Sequence, residues 1–95
     1  MTRRIEFSAR AGAGLDRLEA FIATESRGRA ERAIARLLRG IDQLTDFPEL
    51  GVAVGEGLRQ LVLKYGKSGY IVRYCVLGDV IFITRIWHGR ENRPR

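Results

Sequence analysis

Apolar positions along the chain change their period as one element gives way to the next. Residues 3–8, Arg3-Arg4-Ile5-Glu6-Phe7-Ser8, alternate polar and apolar, which turns Ile5 and Phe7 to one side and predicts a short first strand. Ser8 is then placed to cap a helix. From residue 9 to about 26, Ala11, Leu15, Leu18 and Ile22 recur at helical spacing, and Phe21 widens the stripe. Gly12 and Gly14 each weaken the opening turns by roughly 1 kcal/mol relative to alanine, and Ser26-Arg27-Gly28 ends the helix and turns the chain. A second helix over about residues 29–45 has the clearest period, with Ala30, Ala33, Ile34, Leu37, Leu38, Ile41 and Leu44 on one wide face. Arg29, Arg32, Arg36 and Arg39 form a stripe beside that face, first a solvated flank and second a grip for phosphates.

Phe47-Pro48-Glu49-Leu50-Gly51 breaks the helical pattern, and Gly55 and Gly57 keep the chain irregular as far as Leu58. Strand signals follow: Leu58 to Tyr65, a Gly66-Lys67-Ser68-Gly69 loop, Tyr70 to Leu77, a Gly78-Asp79 turn, and Val80 to His88. If Leu77 faces Val80 and Tyr65 faces Tyr70, period-two alternation defines two faces. One carries Arg59, Leu61, Leu63, Tyr65, Tyr70, Val72, Tyr74, Val76, Ile81, Ile83, Arg85 and Trp87, and is expected to pack on the helices with Arg85 near an edge. The other carries Lys64, Ile71, Arg73, Cys75, Phe82, Thr84, Ile86 and His88 and is expected to be open. The order strand, helix, helix and three strands predicts an α+β domain over residues 1–95, a two-helix hairpin on one face of a mainly antiparallel four-stranded sheet.

Charge sharpens this picture. The formal net charge is +6, yet residues 1–56 carry equal numbers of arginines and acids, so the whole excess lies in residues 57–95. Such a field suits a polyanion or an acidic protein. Ile71, Phe82 and Ile86 on an open face argue for a partner that covers them. One cysteine, Cys75, excludes an intrachain disulfide and reads as a small sheet residue rather than a nucleophile. No apolar run approaches the ~20 residues of a membrane span, and Glu6, Ser8 and Arg10 interrupt any leader-like start, so a cytoplasmic location is expected.

His88 and Cys75 are the only soft metal ligands and no paired spacing accompanies them, so neither a metal nor another cofactor is expected. No phosphate-binding glycine loop opens a helix. What remains is binding, or metal-free phosphodiester cleavage, which needs a base for the 2′-hydroxyl, cations for the pentacovalent phosphate and an acid for the leaving oxygen. His88 with Lys64, Arg73, Arg85 and Arg90 has the right groups; His88 reads equally well as a strand-end histidine bonded to its neighbours.

The run Tyr70-Ile71-Val72-Arg73-Tyr74 with Gly78-Asp79, then Ile83-Thr84-Arg85-Ile86-Trp87-His88-Gly89-Arg90, resembles the C-terminal signature of the RelE/ParE superfamily of bacterial toxins. Phe7-Ser8 before an Ala-rich helix, and Phe47-Pro48 through Gly51 leading to Leu58-Arg59, are similar to that family in matching order. The resemblance implies the toxin of a type II toxin–antitoxin pair, neutralised by an acidic antitoxin in a heterotetramer or larger assembly. It implies a ParE-like inhibitor of DNA gyrase, with Arg59, Trp87, His88, Arg90 and Arg93 toward the target and Ile71, Phe82 and Ile86 toward the antitoxin. The alternative it implies is a RelE-like endonuclease that cuts mRNA on the ribosome, with His88, Arg90, Arg73, Lys64 and Arg85 as its catalytic set and Arg59 among its basic residues; the C-terminal tyrosine of other RelE-like members is absent here. A non-toxic basic nucleic-acid-binding module is a third reading.

Overall fold

The computed structural model describes residues 3–65 and 68–89. Its elements are β1 (Arg4–Phe7), α1 (Ala9–Ala23), α2 (Arg27–Asp42) with a single 3-10 turn (Gln43–Thr45), β2 (Val52–Gly55), β3 (Leu58–Tyr65), β4 (Ser68–Leu77) and β5 (Val80–His88). The strands form one sheet in the order β1-β5-β4-β3-β2, in which β1 runs parallel to β5 and every other neighbour is antiparallel. The α+β class and the helix pair on one face agree with the sequence; the sheet has five strands rather than four.

The fifth strand is β2, at the edge beside β3. A tight turn reverses the chain between them, with Gly55, Glu56 and Gly57 all at positive φ (98°, 55° and 76°). The same glycines that suggested irregular chain therefore close a hairpin. Ser26 is also reassigned. Its backbone is extended (φ −163°, ψ 124°) and its hydroxyl accepts from the Arg29 N–H at 3.2 Å, so it caps the start of α2 instead of ending α1.

Leu18, Leu37, Ile41 and Leu44 from the helical half meet Val72, Tyr74, Ile81, Ile83 and Ile86 from the sheet in the core. At Gly14 α1 lies directly on β5, and a side chain there would collide with the Ile86 backbone carbonyl. The loop between the helices and β2 is fastened to the same core. The buried Tyr74 hydroxyl donates to the Pro48 carbonyl at 2.7 Å and accepts from the Gly51 N–H at 2.8 Å.

The β3–β4 pairing puts Tyr65 opposite Ser68 rather than Tyr70, a shift of two residues that leaves every expected side unchanged. The β4–β5 turn is as expected, with Leu77 opposite Val80 and Gly78 at φ 61°. Farther along, however, Tyr74 pairs with Ile83 and Arg73 with Arg85, so Thr84 is an extra residue. This β-bulge inverts the sides of everything after it.

Candidate functional site

The bulge is held from three directions. Thr84 Oγ1 donates to the Arg73 carbonyl at 3.1 Å, the Ser8 N–H donates to the Ile83 carbonyl at 2.9 Å, and Ser8 Oγ donates to the Thr84 carbonyl at 3.0 Å. Ser8 Oγ also accepts from the Ala11 N–H at 3.0 Å, so one hydroxyl both caps α1 and satisfies the bulged carbonyl. Beyond this point Arg85 and Trp87 lie on the open side, opposite Arg73 and Ile71, while Ile86 and His88 lie on the helix side, opposite Val72 and Tyr70.

Four expectations change as a result, the first being that Arg85 leaves the helix side for the open face. Ile86, expected to meet an antitoxin, is 1 % exposed in the core. Trp87 moves to the open face. His88, expected beside Lys64 and Arg73, is on the opposite side of the sheet, edge-on to the Tyr70 ring at 5.5 Å between centroids and 82° between planes. Burial, and secondarily the neighbouring Tyr65, raises the Tyr70 hydroxyl pKa above its ordinary value.

Arg59 also turns to the helix side, opposite Tyr74. Its guanidinium donates to the Gly51 carbonyl at 2.7 Å and to the Glu49 carbonyl at 3.4 Å, which makes it a clamp on the same loop that Tyr74 holds. Lys64 is exposed on β3. Arg90 and Arg93 lie outside the described residues.

What the structure does bring together on the open face is a pair of arginines around a tryptophan. The Arg73 and Arg85 guanidiniums lie 5.2 Å and 5.1 Å from the centre of the Trp87 ring, within cation–π range. Arg73 is braced by Gln60, whose Oε1 accepts from Nη2 at 2.9 Å and from Nε at 3.3 Å. Trp87 is only 3 % exposed, and among the described residues its indole N–H has no acceptor. The other end of the face is apolar: Leu77 and Val80 by the turn, then Cys75 opposite both Phe82 and Leu58. At its margin Arg4 bonds Glu6 at 2.8 Å, and that bond, with weaker help from Asp79, raises the Arg4 pKa. Two guanidiniums can gather the oxygens of a phosphate or carboxylate, while the apolar end fits aliphatic side chains. Among the described residues no group of three or more His, Cys, Asp or Glu could hold a metal ion, and no helix is long and apolar enough to cross a membrane.

Sequence reasoning placed Trp87 on the helix-packed side of the sheet. The signal that could have corrected it was Arg85: an arginine among Tyr74, Ile81 and Ile83 on a helix-covered face asks for one extra residue before it.

Comparison with known proteins bears on the family and the fold. Residues 5–93 match the family model for the ParE toxin of the type II toxin–antitoxin system parDE. Toxin RelE1 of Caulobacter vibrioides is 36% identical over 93 residues, which cover 98% of this chain and 100% of that protein. Toxin RelE3 of the same organism is 31% identical over 91 residues, covering 96% and 99%. The putative toxin Y4kP of Sinorhizobium fredii is 30% identical over 94 residues, covering 98% and 95%. A solved chain of the chromosomal ParDE system of P. aeruginosa shares the fold with a TM-score of 0.72 at 19% identity, over 92% of this chain and 96% of that one. A helix hairpin on one side of the sheet, a divided cationic and apolar face on the other, and a family match from residue 5 to residue 93 lead to one conclusion: the chain belongs to the ParE toxin family of type II toxin–antitoxin systems.

Proposed function

We propose that this toxin arrests growth by binding and inhibiting DNA gyrase, and that a small acidic antitoxin neutralises it by covering the open sheet face. The observation that carries the choice of target is the separation of His88 from the cations. Cutting RNA through its 2′-hydroxyl needs a proton acceptor next to the groups that hold the phosphate, and here His88 and the Arg73–Arg85 pair occupy opposite sides of the sheet. A toxin that inhibits by binding needs no such pairing. For the antitoxin, the apolar end around Phe82 and the half-buried Ile71 offer surface to cover, and the arginine end favours acidic side chains.

Purified protein in a gyrase supercoiling assay is expected to inhibit the reaction and trap cleaved DNA. No effect at micromolar protein would reject the reading. The second reading, ribosome-dependent mRNA cleavage, is favoured by one feature, the register that sets Arg73 directly opposite Arg85, a spacing suited to a phosphate. Under it, cuts in mRNA would require ribosomes and would be lost in both Arg73→Ala and Arg85→Ala.

A further inference from the structure

The loop over residues 46–51, between the 3-10 turn and β2, is held from inside the protein. The buried Tyr74 hydroxyl bonds the Pro48 carbonyl and the Gly51 N–H, and the Arg59 guanidinium bonds the Glu49 and Gly51 carbonyls. Surface loops are ordinarily among the more mobile parts of a chain. This one is fastened, yet what it turns outward is apolar: Phe47 is 63 % exposed and Leu50 47 %. Single exposed apolar side chains need no explanation. These two, however, line one cleft of about 560 Å³, together with Pro48, Asp46, Glu49 and Arg3. The Nε–H of Arg3 is buried and has no acceptor among the described residues. The sign of the charge is also reversed here. Residues 40–58 hold Asp42, Asp46, Glu49 and Glu56 and no lysine or arginine, in a chain whose net charge is +6.

We infer that this loop docks a peptide segment of a partner protein that carries basic and apolar side chains. Its cations sit against Asp46 and Glu49, its aliphatic groups against Phe47 and Leu50, and one of its backbone carbonyls accepts from Arg3 Nε. The carboxylates repel a nucleic acid and an acidic antitoxin alike, so the segment belongs to neither. A small organic cation would satisfy the acids but leave the Arg3 donor without an acceptor, which is costly for a buried polar group. Because the loop is already fixed by Tyr74 and Arg59, docking does not have to order it, and less of the contact energy is lost to entropy. The inference goes beyond the gyrase reading and does not depend on it, since the segment is recognised by its chemistry whichever protein carries it.

The test uses the full chain and a fluorescein-labelled octapeptide of alternating Lys and Val, with binding read by anisotropy and by amide chemical shifts. Salt is set near 0.15 M, where the screening length is about 8 Å and distant charges count for little. Asp46→Lys/Glu49→Lys is compared with Asp16→Lys/Glu19→Lys, which changes net charge equally but lies on α1. Phe47→Ser/Leu50→Ser removes the apolar half of the contact, and thermal melts establish that each variant is folded. The expected result is an affinity loss of about tenfold or more in both loop variants, less than about twofold in the α1 control, and shift changes centred on residues 46–50. Equal losses in the two charge-reversal variants would overturn the inference, since the peptide would then be sensing overall charge. Equally tight binding of a Glu–Val octapeptide at the loop would overturn it as well, because the carboxylates would then not select the partner. Peptide affinity unchanged in Phe47→Ser/Leu50→Ser, with self-association lost in sedimentation velocity, would assign the surface to a second copy of the chain instead.

Discussion

Gly14 carries two opposed effects that one substitution can separate. In a helix interior, alanine is favoured over glycine by roughly 1 kcal/mol, so local propensity predicts that Gly14→Ala stabilises the protein. Packing predicts the reverse, because the added carbon would collide with the Ile86 backbone carbonyl, which cannot rotate aside as a side-chain end can. Overpacking of this kind costs about 1–3 kcal/mol, and it outweighs the propensity gain. Gly14→Ala is therefore expected to lower the urea midpoint, while Gly12→Ala, with nothing within 4 Å of the new carbon, raises it. A rise for both would mean that α1 does not approach β5 so closely. At this scale the sequence is legible where a residue acts through its neighbours, as with Ser8 or Gly78. It is silent where the partner is distant. Gly14 reads locally as a weakness, Tyr74 gives no hint of holding the loop at Pro48 and Gly51, and Arg59 looks like a free cation although backbone carbonyls occupy it.

Among the elements, β5 decides what the open face can do, and a single extra residue in it decides β5. Periodicity located the strand and its turn, yet alternation carried straight through Thr84 exchanges Ile86 with Trp87 and moves His88 across the sheet. β2 was missed for a related reason: glycine-rich sequence is common to loops and tight hairpins, and only pairing with β3 distinguishes them. The bulge depends on Ser8, whose hydroxyl has two jobs. Ser8→Ala removes the α1 cap, worth about 0.5–2 kcal/mol, and leaves the Thr84 carbonyl short of a donor, worth about 0.5–1.5 kcal/mol more. Ser8→Asp tells the two apart. Aspartate caps a helix as well as serine does, but its carboxylate cannot donate to Thr84 and would set negative charge against that carbonyl. Both variants are expected to lose stability in urea denaturation, with aspartate recovering little of the loss. Wild-type stability in Ser8→Asp would reduce Ser8 to a helix cap and leave the bulge to Thr84 alone.

Over the whole molecule, charge and exposed apolar surface are arranged so that they oppose each other when the toxin is alone. The net charge is +6, all of it from the C-terminal half. Leu77 is 58 % exposed at the apolar end of the open face, and Val52 is 72 % exposed on the edge strand. Two copies brought together through these surfaces would gain apolar burial but bring like charges within reach. At 0.01 M salt the screening length is about 30 Å, comparable to the molecule itself, and at 0.1 M it is about 10 Å. Repulsion therefore acts across the whole particle at low salt and is largely screened at high salt, whereas apolar attraction is not weakened by the added ions. The isolated protein is expected to become more self-associated in sedimentation velocity as sodium chloride rises through this range. Leu77→Asp, which adds a charge at the apolar end without touching the core, should suppress the effect. Dissociation with rising salt would mean that copies attract through opposite charges, and the separation of cationic and apolar surface would then not govern association. Salt-driven association that Leu77→Asp removes would identify the apolar end as the surface through which copies meet, with the cations beside it setting the repulsion that keeps them apart at low salt.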